Sequence, residues 1–240
     1  MAIPRIIHQT AASLDSLAPD IKANVRRLQE LNPGWQYRFY SDAAMMAYLE
    51  AHLTPEQFAL CRQVNPRYGV VLADLFRYVA IYREGGVYLD IKSGLTRPLD
   101  EILKPTDQFI LSQWRNRLGE SHRGFGFHDE LATIAGGELQ QWHVIAAAGH
   151  PFLARVIERV FDNMRSYEAI RDGTGKRGVL RLSGPISYTL AIMPVLKHYR
   201  FRLVDSHAEG LVYTIYPWTR HEKRTPGHYS LSRQPLMLSA

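Results

Sequence analysis

A helical pattern that stops at two consecutive glycines and restarts as a strand constrains this chain more than any other feature. Val70–Glu84 places Leu72, Leu75, Phe76 and Val79 on one face at helical spacing. Asp74, Arg77, Tyr78 and Ile81 fall on the opposite face. Gly85-Gly86 ends the helix, because a glycine there can take the left-handed conformation that closes a last turn. Val87–Ile91 then alternates: Val87, Leu89 and Ile91 share one side, and Tyr88, Asp90 and Lys92 share the other. Pro98 closes the segment.

The preceding residues repeat the theme. Ile3–His8 reads as a buried strand, and Pro19–Leu31 as a helix stopped by Asn32-Pro33-Gly34. Trp35–Tyr40 alternates as a strand. Ser41-Asp42 offers N-caps to a helix through about His52. Thr54-Pro55-Glu56-Gln57 carries an N-cap, a proline at the first helical position and a glutamine at the third, so a helix to about Gln63 follows. Strand, helix, strand, helix predicts an α/β fold with a mostly parallel sheet. Downstream, Gln108–Gln113 reads as a strand, residues 115–130 as a loop, and Phe152–Tyr167 as an amphipathic helix. Asp172–Gly178 reads as a flexible basic loop, and Ser183-Gly184-Pro185 opens a helix to about His198. The last forty residues read as short strands and loops.

At 240 residues the chain is long enough to bury a core without staples, and a single domain over 1–240 is expected. The lone Cys61 excludes an internal disulfide framework and fits the cytosol best. No apolar run approaches the roughly 20 residues that span a bilayer, and the start lacks the pattern of a secretory signal. The net charge of +6 suggests anionic partners and is unevenly placed. Residues 1–120 carry 14 Lys+Arg against 13 Asp+Glu, whereas 121–240 carry 15 against 10.

Asp90 stands at the carboxyl end of a core strand, where open α/β sheets bind ligands. A carboxylate there holds a divalent cation or a ribose hydroxyl, or else merely caps a turn. Lys92 could neutralise a phosphate, or lie solvated. Asp74 and Arg77, three apart on a helix, form either a surface ion pair or a grip on a hydroxylated ligand. Ser183-Gly184-Pro185 could turn backbone N–H groups toward an anion. Trp114, Trp142 and Trp218 could stack on a base or sugar, though core packing is the commoner use of tryptophan. Neither a phosphate-binding loop with Lys-Ser/Thr nor a Gly-x-Ser-x-Gly elbow occurs, and one cysteine forbids Cys-x-x-Cys zinc spacing. No helix-turn-helix, zinc-finger or RNP signature occurs, so no nucleic-acid partner is expected.

The run Ala73-Asp74-Leu-Phe-Arg77-Tyr78 through Gly85-Gly86-Val-Tyr88-Leu89-Asp90 resembles the sugar-binding region of glycosyltransferase family 32, shared with the clostridial glucosylating toxins. Ile3–Thr10, Asn32-Pro33-Gly34-Trp35, Phe39-Tyr40-Ser-Asp42, Arg97-Pro98-Leu99-Asp100 and Ser183-Gly184-Pro185 match in the same order. The likeness covers about residues 3–110 well. It implies a GT-A, Rossmann-like nucleotide-sugar-binding fold with added C-terminal helices. It also implies transfer of a hexose, with retention, from a UDP- or GDP-sugar to a glycan or glycolipid hydroxyl.

Carried over by residue, Asp74, Arg77 and Gly86 belong to the donor sugar, and His8, Gln9 and Tyr78 to the nucleotide. Asp90 serves the reaction centre and the metal, and Lys92 and His228 the leaving diphosphate. The second aspartate of Asp-x-Asp is Lys92 here, and a protonated lysine offers a metal no lone pair. Reduced or no dependence on manganese or magnesium is therefore expected, with Lys92 supplying part of the metal's charge. The alternative is a catalytically decayed scaffold that only binds sugar or nucleotide. The expected division is a donor part over about 1–115 and an acceptor and leaving-group part over about 116–240. Arg171, Lys176, Arg177 and Arg181 could meet a phosphorylated or acidic glycan or an anionic membrane, or else are solvated helix and loop charges. The setting expected is cytoplasmic, on the inner face of a membrane.

Overall fold

The computed structural model describes residues 2–216 and 228–238. The first half lays down β1 (Ile6–Thr10), α1 (Pro19–Leu31), β2 (Gln36–Tyr40), α2 (Asp42–His52), α3 (Pro55–Arg62), α4 (Gly69–Glu84), β3 (Gly86–Leu89), β4 (Gly94–Leu95) and α5 (Leu99–Ile102). The second adds β5 (Phe109–Ser112), β6 (His143–Ala146), α6 (Pro151–Arg165), α7 (Ala169–Asp172), α8 (Gly175–Leu182), α9 (Pro185–Ile192), β7 (Arg202–Val204) and β8 (Leu211–Val212). Short 3-10 turns lie at Pro66–Tyr68, Asp129–Leu131, Met193–His198 and Tyr229–Leu231.

Six strands form one sheet in the order β2-β1-β3-β6-β5-β7, and β4 pairs separately with β8. Parallel pairing joins β2, β1 and β3, and also β5 and β7; β6 runs antiparallel to both β3 and β5. The sheet is thus mostly parallel, as the alternation of strands and helices predicts. Side chains alternate into two cores. Tyr88, Phe109, Leu111, Val144 and Ala146 meet α4 and α6 on one face. Val87, Leu89, Ile110 and Ile145 meet Leu28 of α1, Trp35 and Leu99 on the other. Burial on both faces is what a parallel sheet requires.

Local chemistry explains the elements. Thr54 and Gln57 complete a reciprocal capping box at α3. Gly85 and Gly86 take φ of 70° and 103°. A Cβ on Gly86 would lie 2.5 Å from the carbonyl oxygen of Ile6, so β1 and β3 come this close only because the position is glycine.

Several expectations change. The first strand is Ile6–Thr10 rather than Ile3–His8, because its register is set by pairing with Gln36–Tyr40. The third strand stops at Leu89: the Asp90 N–H donates to the Trp142 carbonyl at 2.9 Å, and Ser93 N–H donates back to Asp90 at 2.7 Å, closing a turn. The basic stretch 172–178 is no loop; most of it enters α8, whose glycines allow close packing. A Cβ on Gly178 would meet the Gly173 carbonyl oxygen at 2.6 Å and Leu236 at 2.7 Å. Residues 175–198 are long and apolar enough to cross a membrane by length and composition. In the fold they are broken at Ser183-Gly184, and α9 is buried among core side chains. Cys61 is buried, which raises its thiol pKa to about 12 and leaves it inert, so its isolation carries no report on redox compartment.

Candidate active site at the end of strand β3

After the Gly-Gly turn β3 runs back along α4, so the first half of the helix lies beside the carboxyl end of that strand. There the Arg77 guanidinium bridges two carboxylates. It lies 3.0 Å from Asp74 Oδ1 and 3.1 Å from Asp90 Oδ1, and its carbon sits 4.7 Å over the ring of Tyr88. Arg77 Nη1 also donates to the backbone carbonyl and side-chain oxygen of Gln141, both at 2.8 Å. Asp74 accepts from Ser183 Oγ at 2.8 Å and from Gln141 Nε2 at 3.3 Å. The Asp74 and Arg77 side chains are 2% and 5% exposed, and that of Asp90 is 21% exposed.

Burial pushes the Asp74 carboxyl upward, against the pull of Arg77 and the Ser183 and Gln141 donors. Burial also opposes charge on Arg77, but Tyr88, Asp90 and Asp74 outweigh it and hold the guanidinium above its ordinary pKa. The result is a buried Asp74–Arg77–Asp90 array with Asp90 as its more exposed end. The Asp74–Arg77 pair is thus buried rather than on the surface, and it reaches Asp90 through Arg77.

Other expected positions are distributed differently. Gly86 stands at the start of β3, about 13 Å of strand from Asp90, and is used for packing against Ile6. His8 is buried between the Tyr40 hydroxyl, 3.3 Å from Nδ1, and the Gly85 carbonyl, 3.2 Å from Nε2. Burial lowers its pKa to about 4. Gln9 is buried too; it donates to the carbonyls of Leu89 and Asp90 and accepts from Tyr37. Tyr78 donates to the Ser183 carbonyl at 2.9 Å and is stacked on Tyr188. All three are buried; of them Gln9 bonds to the turn that carries Asp90, whereas His8 bonds to the Gly85 carbonyl ahead of β3 and Tyr78 to Ser183 and Gln141. The reason is alternation: side chains at the end of β1 and along α4 are divided between two cores.

Lys92 parts company with Asp90. Because the strand ends at Leu89, strand alternation no longer places the two together. The Lys92 ammonium lies 4.6 Å over the ring of Tyr213 and 3.3 Å from its hydroxyl. Backbone bonds fix that pairing: Ser93 Oγ donates to the Tyr213 carbonyl, and Ile215 N–H to the Lys92 carbonyl. Trp114 and Trp142 pack edge-on or tilted against Tyr213, and Trp142 is buried. Trp218 lies outside the described residues. His228 caps the turn Tyr229–Leu231, accepting from the Ser230 N–H at 3.3 Å. That turn packs on α8 and, through Tyr229, on Tyr68 ahead of α4.

Among the described residues no group of three or more His, Cys, Asp or Glu side chains is placed to hold a metal ion. The donor set does not fit a hard divalent cation, because Asp90 is already paired with a guanidinium and position 92 is an ammonium. Sequence reasoning missed Gln141, which no local signal marks. It found Ser183 for the wrong atom: the hydroxyl turns inward to Asp74.

Residues 19–109, which include Asp74, Arg77 and Asp90, match the family model described as the glycosyltransferase sugar-binding region containing DXD motif. This stretch of the chain is similar to that sugar-binding region. It is 28% identical over 162 residues to inositol phosphoceramide mannosyltransferase 3 of Schizosaccharomyces pombe, covering 66% of this chain and 37% of that protein. It is 25% identical over 204 residues to the initiation-specific alpha-1,6-mannosyltransferase of the same yeast, covering 81% and 49%. The chain therefore spans between a third and a half of these relatives. Among solved structures, the ligand-free glycosyltransferase domain from the YGT toxin superposes with a TM-score of 0.54 at 8% identity, over 89% of this chain and 82% of that one. The PaToxG glycosyltransferase gives 0.50 at 15% identity, over 81% and 71%. The fold of this chain is therefore that of these domains, GT-A.

Proposed function

We propose that this chain transfers a hexose from a nucleotide sugar, UDP- or GDP-linked, to a hydroxyl of a glycan or glycolipid. The observation that carries the reading is the relay Asp74–Arg77–Asp90 at the carboxyl end of β3, inside the matched sugar-binding region. The names of the two yeast relatives favour a mannosyl donor. In the proposed reaction the bond from the anomeric carbon to the diphosphate oxygen breaks. The acceptor oxygen bonds to the same carbon on the same face, and its proton passes to the departing diphosphate. Asp90 orients the donor, while Asp74 and Arg77 act as positioning residues that fix Asp90. Lys92, and His228 with it, stabilise the diphosphate. The division into a donor part over 1–115 and an acceptor part over 116–240 belongs to the same proposal, with Gln141 and Ser183 reaching across it. So does action at the cytoplasmic face of an anionic membrane.

A melting-temperature screen against nucleotides and nucleotide sugars tests donor binding, since a bound ligand raises apparent stability by mass action. A shift with one sugar nucleotide, absent in Asp90→Asn, is the expected result. Turnover in Asp90→Asn above about a tenth of wild type would remove the role given to Asp90. The metal question has its own test: chelation leaves most activity in the wild type, whereas Lys92→Asp makes activity depend on added manganese. The second reading, a decayed binding scaffold, draws on the engagement of Lys92 with Tyr213. Donor binding without transfer or hydrolysis for every sugar tried would favour it.

A further inference from the structure

The proposed reaction asks for positive charge beside the departing diphosphate, and the site divides that charge unevenly. Arg77 is already met by Asp74 at 3.0 Å and by Asp90 at 3.1 Å. Two carboxylates against one guanidinium leave nothing positive for an anion. Lys92 leaves the same tight turn as Asp90, closed by the bond from the Ser93 N–H to the Asp90 carbonyl. Among the described residues no carboxylate pairs with its ammonium. Its partner is Tyr213, with the ring centroid 4.6 Å away and the hydroxyl 3.3 Å away.

The nature of that partner matters. A carboxylate would fix the ammonium and cancel its charge at once. An aromatic face and a neutral hydroxyl fix it and leave the charge whole. An ammonium has three N–H donors. The Tyr213 hydroxyl takes one, so the others stay available to phosphate oxygens.

Tyr213 is itself held from several sides. Trp114 stands edge-on to its ring at 4.9 Å between centroids, and Trp142 is tilted against it at 5.6 Å. Trp114 is fixed in turn, because its Nε1–H donates to Glu138 at 2.7 Å. Trp142 is buried, and its carbonyl accepts from the Asp90 N–H at 2.9 Å. One residue therefore touches both the ring that holds Lys92 and the backbone that holds Asp90. The antiparallel pairs Gly94↔Val212 and Leu95↔Leu211 set the register of β4 on β8. Ser93 Oγ, donating to the Tyr213 carbonyl at 2.7 Å, and the Ile215 N–H, donating to the Lys92 carbonyl at 2.9 Å, extend that register to the ammonium. A lysine that merely rests on a surface tyrosine has none of these supports.

We propose that Tyr213, backed by Trp114 and Trp142, is a positioning residue that holds the Lys92 ammonium, its charge uncancelled, where the diphosphate of the donor binds. Tyr213 acts through Lys92 and touches no reacting atom. The proposal rests on the glycosyltransferase reading for the identity of the anion, but not for the pairing.

The test is calorimetric titration of the full chain with inorganic pyrophosphate, UDP and GDP in the presence of a chelator. The wild type should bind pyrophosphate, and Lys92→Gln should weaken that binding by roughly tenfold or more. Tyr213→Leu should weaken it nearly as much although the lysine is intact, whereas Tyr213→Phe, which keeps the ring, should lose less. Lys92→Gln with Tyr213→Leu should bind no more weakly than Lys92→Gln alone, because the tyrosine acts through the lysine. Full pyrophosphate binding in Tyr213→Leu overturns the proposal, as do losses that simply add in the double variant. A wild type that binds none of the three anions under chelator overturns it too. Melting temperatures identify a variant that fails to fold. Should Tyr213→Leu be one, Tyr213→Phe decides: its loss must vanish in a Lys92→Gln background, and an equal loss there overturns the proposal. The expected pattern without transfer from any sugar nucleotide would sink the glycosyltransferase reading and leave the pair standing. Transfer that is unchanged in Tyr213→Leu would sink the pair and leave the reading.

Discussion

Arg77 holds Asp74 at 3.0 Å and Asp90 at 3.1 Å with almost no water around it. Removing one partner of such a pair leaves the other as an uncompensated buried charge. Arg77→Met is expected to lower unfolding free energy by about 3–5 kcal/mol in urea titration. Ser183→Ala takes one donor from buried Asp74 and should cost about 1–3 kcal/mol. His8 makes stability depend on pH. Burial depresses its pKa from 6.5 to about 4, so the unfolded chain binds the proton more readily. Its contribution is complete above pH 6.5 and is lost as pH falls toward 4, a loss of roughly 3 kcal/mol from this side chain. His143, depressed to about 3, acts in the same direction. His8→Gln should flatten the acid limb of a plot of unfolding free energy against pH; an unchanged limb would show that other groups set it. Asp74, Arg77 and Asp90 were legible because they fall on one helix and the strand that follows it. Gln141 and Ser183 reach the same point from 64 and 109 residues away, and no local pattern encodes that distance.

At the scale of elements, the helix–glycine–strand unit delivers both halves of the site and sets its geometry. Gly86→Ala forces a Cβ to within 2.5 Å of the Ile6 carbonyl at a positive φ. It should cost more than about 2 kcal/mol and loosen β1 from β3. Hydrogen exchange should then speed up at Ile7 and Val87 before it does in α6. Helices α1 to α4 could be read because caps, prolines and glycines mark their ends. Strand β6 could not: four buried residues after Trp142 carry no turn signal and no period long enough to see. The basic run before Arg181 looked like a loop because glycine and charge are loop composition. It is helical because Val179 and Leu182 find the core and Gly178 lets Leu236 approach. The fold class was visible in the order of elements, whereas the antiparallel β6 at the centre of the sheet was visible only in three dimensions.

Taken as one molecule, the protein is closed by contacts far apart in sequence. Near the end of the chain, Leu236 is fully buried, and its carbonyl accepts from the Asn65 N–H at 2.8 Å. Tyr68 donates to Gln234, and Leu238 N–H to Gln63. These bonds clasp the corner from which α4 starts. Leu236→Ala should therefore cost about 2–5 kcal/mol by denaturation, and nucleotide-sugar shifts should weaken with it. The clasp also sets a schedule. The Asn65 side chain meets the carbonyl of Pro235 across 170 residues. At roughly 5–20 residues per second, a ribosome needs on the order of ten to thirty seconds to add that stretch. Until that stretch has been added, the corner from which α4 starts lacks these bonds.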